Sequence, residues 1–331
     1  MKNKKLFSVP YTENIAKTLK KVNKDEVQDI YFSDGLLNSA RNIQLTPSQR
    51  KELISLKDDY NLNYTFNPSF YDNKIYLENG FKDLISKIEI LKEAYNIKMI
   101  TFNNIILLKN KILRDKLFEL DIEIRLSVNN KIDNLEKLKM IHKDLIIFDV
   151  VLDRSLNRNQ DELNKCIDYA KSHGININLL LNEGCLPNCL YKEQCDLMIS
   201  QYYKNTDQEV NELSAVHDIL TCTSDFLYKP ELSLKSPFIS PLYIDNIPYV
   251  NYKIGGRNKD RKFLEKIILS YFKRQGDVKL RTFFSTHRHE IFSKINFYDL
   301  EEFNYWENTK NCKLQCHSCE YCDDVFKNLL N

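Results

Sequence analysis

Glycine is scarce in this chain, at seven among 331 residues. No early strand-like segment is followed by the glycine-rich turn of a dinucleotide-binding sheet. Long apolar runs are missing too: nothing approaches the roughly 18 residues needed to cross a bilayer. The start, Met1 to Pro10, carries basic residues, but its apolar run is only Leu6–Val9, with no small-residue cleavage site, so it does not read as a secretory signal. Charge of either sign is not in excess, and a formal net charge of +2 gives no global nucleic-acid signature. There is no Ser/His/Asp order, no nucleophile elbow and no HExxH, which argues against a hydrolase of those kinds. These absences lead to the expectation of a cytoplasmic chain without a membrane span, in which thiols stay reduced and clustered cysteines favour metal over disulfide.

Cysteine is where the chain is rich. Eight of its nine cysteines fall in two groups of four. Cys312, Cys316, Cys319 and Cys322 spell Cys-x3-Cys-x2-Cys-x2-Cys near the end; Cys185, Cys189 and Cys195 follow an apolar run in mid-chain, with Cys222 further on; Cys166 is left over. Four crowded thiolates need a cation to offset their repulsion, or must be oxidised. Inert buried cysteines are the bland reading, implausible for eight at this density. Structural zinc and an iron–sulfur cluster remain. A cluster is the expectation for the mid-chain group; for the tail, zinc and a second cluster stand nearly level. The first three tail cysteines also match the triad of radical S-adenosylmethionine enzymes. That triad normally follows the first strand of its barrel, whereas here only about a dozen residues follow, so the match reads as coincidence.

Short apolar runs alternate with amphipathic stretches. The pattern predicts strands at Leu6–Val9, Asp29–Phe32, Leu62–Phe66, Lys98–Phe102, Glu123–Val128, Leu145–Leu152, Ile175–Leu181 and Tyr249–Ile254. It predicts helices opening at Thr46 (a capping residue with Pro47 and Gln49), over Asn159–His173 with Gly174 as the stop, and over Asp260–Phe272. Eight such repeats predict a (β/α)8 TIM-type barrel in preference to an open doubly wound sheet. The expected division is a barrel over 1–275, interrupted after the seventh strand by an insertion at about 195–248, and a cysteine-rich cap over 276–331. The cap is rich in aromatics, among them Phe283, Phe284, Phe292, Phe297, Trp306 and Tyr305.

In such a barrel chemistry sits at the carboxyl ends of the strands. The seventh runs into Asn182-Glu183-Gly184-Cys185, so Cys185 is expected at the mouth, with Cys189, Cys195 and Cys222 completing a cofactor site. Glu183 precedes that turn and Arg257 follows two glycines after the eighth strand; both are candidate catalytic residues lining a substrate pocket. The bland readings are a solvated carboxylate and an ion pair from Arg257 to Glu183 or Asp153. His287 and His289 read as an exposed basic turn, and His317 as a spacer in the tail.

The segment Asn182-Glu183-Gly184-Cys185-Leu186-Pro187-Asn188-Cys189, with Tyr252-Lys253-Ile254-Gly255-Gly256-Arg257 and the helix after it, resembles the collagenase-like "unassigned peptidase" family. The likeness covers roughly Leu6 to Phe272. The chain departs from the family pattern at Gly255, commonly a glutamate there, and in its four-cysteine tail. The resemblance implies a barrel carrying a 4Fe–4S cluster and supporting oxygen-independent hydroxylation, or a related redox modification, of an RNA base or a small aromatic or isoprenoid-type substrate. It leaves open a partner protein or electron donor. The rival from another class is a zinc-stapled, non-catalytic module docking RNA or protein; a peptidase is the weaker alternative.

Overall fold

Eight parallel strands close on themselves in a computed structural model that describes all residues except 1–3, 40–42, 146, 203–221, 258, 284–289, 313 and 331. They are β1 Phe7–Pro10, β2 Val27–Phe32, β3 Leu62–Phe66, β4 Met99–Phe102, β5 Glu123–Leu126, β6 Asp149–Val151, β7 Asn176–Leu180 and β8 Asn251–Lys253. Each pairs with its sequence neighbour, and β8 returns to β1 through Phe7↔Tyr252 and Ser8↔Lys253. The expected (β/α)8 TIM-type barrel is therefore the fold.

The helices among the described residues are α1 Ile15–Leu19, α2 Pro47–Leu56, α3 Glu78–Tyr95, α4 Ile105–Leu108, α5 Lys111–Glu119, α6 Leu135–Leu145, α7 Gln160–His173, α8 Lys192–Tyr202, α9 Cys222–Tyr228, α10 Leu232–Lys235, α11 Arg261–Lys273, α12 Leu280–Phe283, α13 Phe297–Glu301, α14 Tyr305–Thr309 and α15 Tyr321–Asn328. Thr46 caps α2 in a reciprocal box with Gln49. Gly174 ends α7 at φ 68°, a left-handed position that a residue with a Cβ occupies only under strain. One expected strand is displaced: the apolar run Leu145–Leu152 is split, its start closing α6 and only Asp149–Val151 entering the sheet. Leu145 packs inward as the last buried position of a helical face, so two consecutive elements share one hydrophobic run.

Side chains alternate across each strand. Phe7 and Tyr252 point outward, stacked at 5.7 Å, and Phe7 also meets Phe272 of α11 at 4.5 Å. Ser8, Asp29, Asn63, Thr101, Arg125, Asp149 and Asn178 are buried inside the barrel. A barrel interior is normally filled by branched aliphatic side chains; this one carries a hydrogen-bonded polar layer. Arg125 donates to Asp149 Oδ1 at 2.6 Å, Asp29 Oδ2 at 2.7 Å and Ser8 Oγ at 3.1 Å. Ser8 donates to Asp29 at 2.6 Å and Asn178 to Asp149 at 2.9 Å. Burial works against the Arg125 charge, yet Asp149 and Asp29 hold the guanidinium above its ordinary range. Breaking such a cluster by removing one member leaves an uncompensated buried charge.

The segment before β8 and the tail join the barrel's apolar core rather than forming a separate one. Phe238, Ile239 and Ile244 are buried with Phe283, Phe292, Phe297, Tyr305 and Trp306. Phe238 stacks on Tyr305 at 5.8 Å and Tyr243 on Trp306 at 4.9 Å. Phe284, His287 and His289 lie outside the described residues, as does the middle of the expected insertion.

Candidate functional site

The carboxyl end of β7 leads through buried Leu181 and Asn182 into the cysteine turn. Asn182 and Gly255 clamp the ends of β7 and β8 together: the Gly255 N–H donates to Asn182 Oδ1 at 2.6 Å, and Asn182 Nδ2 donates to the Gly255 carbonyl at 3.2 Å. A Cβ at Gly255 would meet Asn182 Oδ1 at 3.1 Å, so the departure from a bulkier residue there has a local steric reason. Gly256 takes φ 115°, the left-handed freedom that turns the chain toward Arg257. Gly184 is not among the positive-φ residues, so the cysteine turn does not use that freedom.

Glu183 is buried at the mouth and fully engaged. Its Oε1 accepts from the Cys185 N–H at 3.0 Å and its Oε2 pairs with Arg154 at 3.2 Å. Burial disfavours its charge, but Arg154, Lys192 and the Cys185 amide together hold the carboxyl at about 2. A carboxylate so held stays ionised and orients the turn; it is poorly matched to proton transfer near neutral pH. Arg257 instead reaches the hydroxyls of Thr65 and Ser39, the latter at 3.3 Å. The expected pair of site residues is thus at the mouth, each with its own partners.

Cys185, Cys189, Cys195 and Cys222 are all partly exposed, and none is in a disulfide. Cys185 lies against Glu183, Lys192 and Arg154; burial and the Glu183 charge push its thiol well above the ordinary range. The Cys222 thiol rises to about 11 through burial and the neighbouring Cys189 and Cys195 thiols, so the fold returns Cys222 to the other two. In the tail, burial pushes the Cys322 thiol to about 11, with Cys316 and Cys312 adding to it against the opposing charge of Arg158. Burial, then Cys312, raise that of Cys316, to which exposed Cys319 also contributes. Cys166 is the inert remainder, buried in α7 and pushed up to about 12. Among the described residues no three or more His, Cys, Asp or Glu side chains converge tightly enough to hold a metal ion as they stand. The donor chemistry nonetheless suits a soft metal: each group gathers several thiols whose deprotonation a bound cation would favour.

Two buried arginines, whose partners the sequence alone does not show, follow β6. A 3-10 turn after β6, Arg154–Arg158, sends one to each cysteine group: Arg154 to Glu183 and Cys185, Arg158 to the tail thiols Cys322 and Cys312. Arg158 donates to the Leu234 and Ser236 carbonyls at 3.1 and 2.7 Å and to the Tyr305 hydroxyl at 2.8 Å. Among the described residues, buried Arg154 Nε and Arg158 Nε have no hydrogen-bond partner. Arginine after a barrel strand was the available signal, but a single Asp-Arg pair in a loop does not stand out from solvated charge. A separate cavity of about 820 Å³ flanks the ends of β2 and β3, lined by Leu37, Phe66, Tyr71 and Ile75 among others, away from both cysteine groups.

No family model matches the chain. A Methanocaldococcus jannaschii protein described as an uncharacterized protease is 24% identical over 225 residues, which make up 63% of this chain and 61% of that protein. The chain thus matches less than two thirds of that relative's length. Among solved structures, that of a U32 peptidase superposes with a TM-score of 0.53, at 11% identity, over 77% of this chain and 94% of the other. The structural likeness is one of fold. It agrees with the (β/α)8 barrel described above. No helix among the described residues is long and apolar enough to cross a membrane.

Proposed function

We propose that the chain is an iron–sulfur barrel protein of the collagenase-like kind, acting in the cytoplasm on an RNA base or a small aromatic or isoprenoid-type substrate by oxygen-independent hydroxylation or a related redox step. Cys185, Cys189, Cys195 and Cys222 would hold a 4Fe–4S cluster; Cys312, Cys316, Cys319 and Cys322 would hold a second cluster or zinc. When bound, such a cluster supplies one-electron chemistry drawn from a donor or partner protein. The residues around it have their own tasks. Glu183 fixes the Cys185 amide, while Arg154 supplies buried positive charge beside a site that gains negative charge when its thiols ionise.

The reading is supported by the spacing of Cys185, Cys189 and Cys195 after β7 and by Cys222, some thirty residues on, whose thiol is influenced by those of Cys189 and Cys195. Inert cysteines have no reason to be gathered over that distance at the carboxyl end of a barrel. Anaerobic purification followed by iron, sulfide and zinc analysis and a visible spectrum tests it. About four irons per chain are expected for the mid-chain site, lost in Cys185→Ala and Cys222→Ala with the barrel still folded. A colourless, zinc-only chain would establish the stapled binding module instead. The peptidase reading, which the names of both relatives favour, predicts peptide cleavage by the metal-free chain.

A further inference from the structure

Arg158 closes the turn after β6 and is only 2% exposed. Its Nη2 donates to the Leu234 and Ser236 carbonyls at 3.1 and 2.7 Å and to the Tyr305 hydroxyl at 2.8 Å. None of these acceptors carries a charge, since the Tyr305 hydroxyl keeps its proton and donates it to the Leu234 carbonyl. The guanidinium also lies 5.2 Å from the centre of the Tyr305 ring and 5.7 Å from that of Phe238. Among the described residues no carboxylate pairs with it, and its Nε has no hydrogen-bond partner. Asp323, next to Cys322 in sequence, is committed to Lys235 at 2.8 Å. A buried carboxyl or amine can shed its charge by titrating, but a guanidinium stays protonated in a protein, so its burial requires an anion. Arg154, at the other end of the same turn, has one in Glu183 at 3.2 Å. Arg158 has none of that kind.

The tail supplies the missing partner. Cys322 Sγ lies 3.7 Å from the Leu234 carbonyl, the same acceptor that Arg158 and Tyr305 share. Thiol and guanidinium therefore sit side by side on one oxygen. We infer that Arg158 is the counter-ion of the tail cysteine centre, a positioning residue whose fixed charge favours Cys322 and its neighbours as metal-bound thiolates. Four thiolates around a divalent ion leave a net negative charge, and a permanent cation held beside one of them offsets it. The three neutral acceptors fix the guanidinium and leave its charge unbalanced until the thiols ionise. The inference rests on the proposed metal site in the tail and adds what balances the charge of that site.

Protection of individual thiols by zinc tests it. The full chain, expressed in iron-depleted medium, is equilibrated in buffers of graded free zinc, alkylated and mapped by peptide mass. Cys312, Cys316, Cys319 and Cys322 should become protected together. In Arg158→Gln the midpoint should move to about 10–100-fold higher free zinc, the usual effect of losing an outer partner of a metal site. Arg158→Lys keeps the charge but gives up hydrogen bonds, so it should melt lower while its zinc midpoint stays within about threefold of the parent. Alkylation of Cys185 should be the same in all three, which shows the barrel intact. Tyr305→Phe removes a neutral contact of Arg158 and leaves its charge; it too should stay within about threefold, a result that stands even if Arg158→Gln does not fold. A parental midpoint in Arg158→Gln, or a loss in Arg158→Lys or Tyr305→Phe as large as in Arg158→Gln, overturns the counter-ion. A tail left unprotected in the parent at every zinc level sinks the metal site itself; a protected tail indifferent to the charge at Arg158 sinks only this inference.

Discussion

Arg125 is fully enclosed by the barrel and held by Asp29 and Asp149. Replacing it with Met strands two carboxylates in the interior, at an expected loss of about 3–5 kcal/mol, read as a lower urea midpoint. Adding Asp29→Asn and Asp149→Asn should recover much of that loss, because no buried charge is then left unpaired. Lys253 gives the second residue-scale prediction. Facing Tyr31, Arg125, Arg257, Asp29 and Asp149, it falls from 10.5 to about 7, with burial the chief cause. The folded chain therefore binds fewer protons than the unfolded one between those values. The Lys253 contribution to stability accordingly rises as pH goes from about 7 toward 10.5. Urea titrations across that range should show this rise in the parent and a flatter profile in Lys253→Met; identical slopes would refute it. Lys253 stood out in the sequence only as part of the motif Tyr252–Arg257, and Arg125 not at all. Arg125 looks like the polar position of a half-exposed strand, and only closure of the barrel makes that face interior. The same limit hid the partners of Arg154 and Arg158, whereas the cysteines were legible because their spacing alone is improbable.

At the scale of elements, local chemistry and periodicity carried most of the reading. Seven of the eight strands lie within about three residues of their expected bounds; α2 opens at the expected Thr46 cap, α7 runs from Asn159 to the Gly174 stop, and α11 lies within one residue of its expected bounds. The remaining strand, β6, was overdrawn because apolar composition cannot show where a helix's buried face gives way to a strand. The tail was read as patternless because α12, α13 and α14 are four or five residues long, too short for a helical period to show. Thr46 offers a clean test of the local signals. Its side chain accepts from the Gln49 N–H at 3.3 Å while Gln49 Oε1 accepts from the Thr46 N–H at 2.9 Å. Thr46→Ala should cost about 1 kcal/mol, visible in chemical unfolding. Because α2 lies on the barrel's outer layer, any iron bound by the chain should be unchanged.

For the whole molecule, the tail's attachment decides whether the two cysteine groups are separable. The chain up to Thr309 is fastened by Phe238 on Tyr305, by Tyr243 on Trp306 and by Arg158 on the Tyr305 hydroxyl. Beyond it, α15 docks through buried Val325 and Phe326 and through Asp323, 2.8 Å from Lys235 of α10. Truncation after Asn311 removes this second set and all four tail cysteines but leaves the first. Burial of Val325 and Phe326 is worth roughly 1.5–3 kcal/mol each, so the truncated chain should melt several degrees lower yet unfold cooperatively as a barrel. Any mid-chain metal should remain, because Glu183, which accepts from the Cys185 N–H, and the groups that act on the Cys185 and Cys222 thiols include no tail residue. Arg158, deprived of the Cys322 and Cys312 thiols, keeps its Leu234, Ser236 and Tyr305 acceptors and should hold the remaining tail in place. Metal analysis of parent and truncated chains decides the matter. Loss of the tail metal alone establishes two self-contained sites. Emptying of both would mean that the groups share ligands, with the Arg154–Arg158 turn lying between parts of a single site.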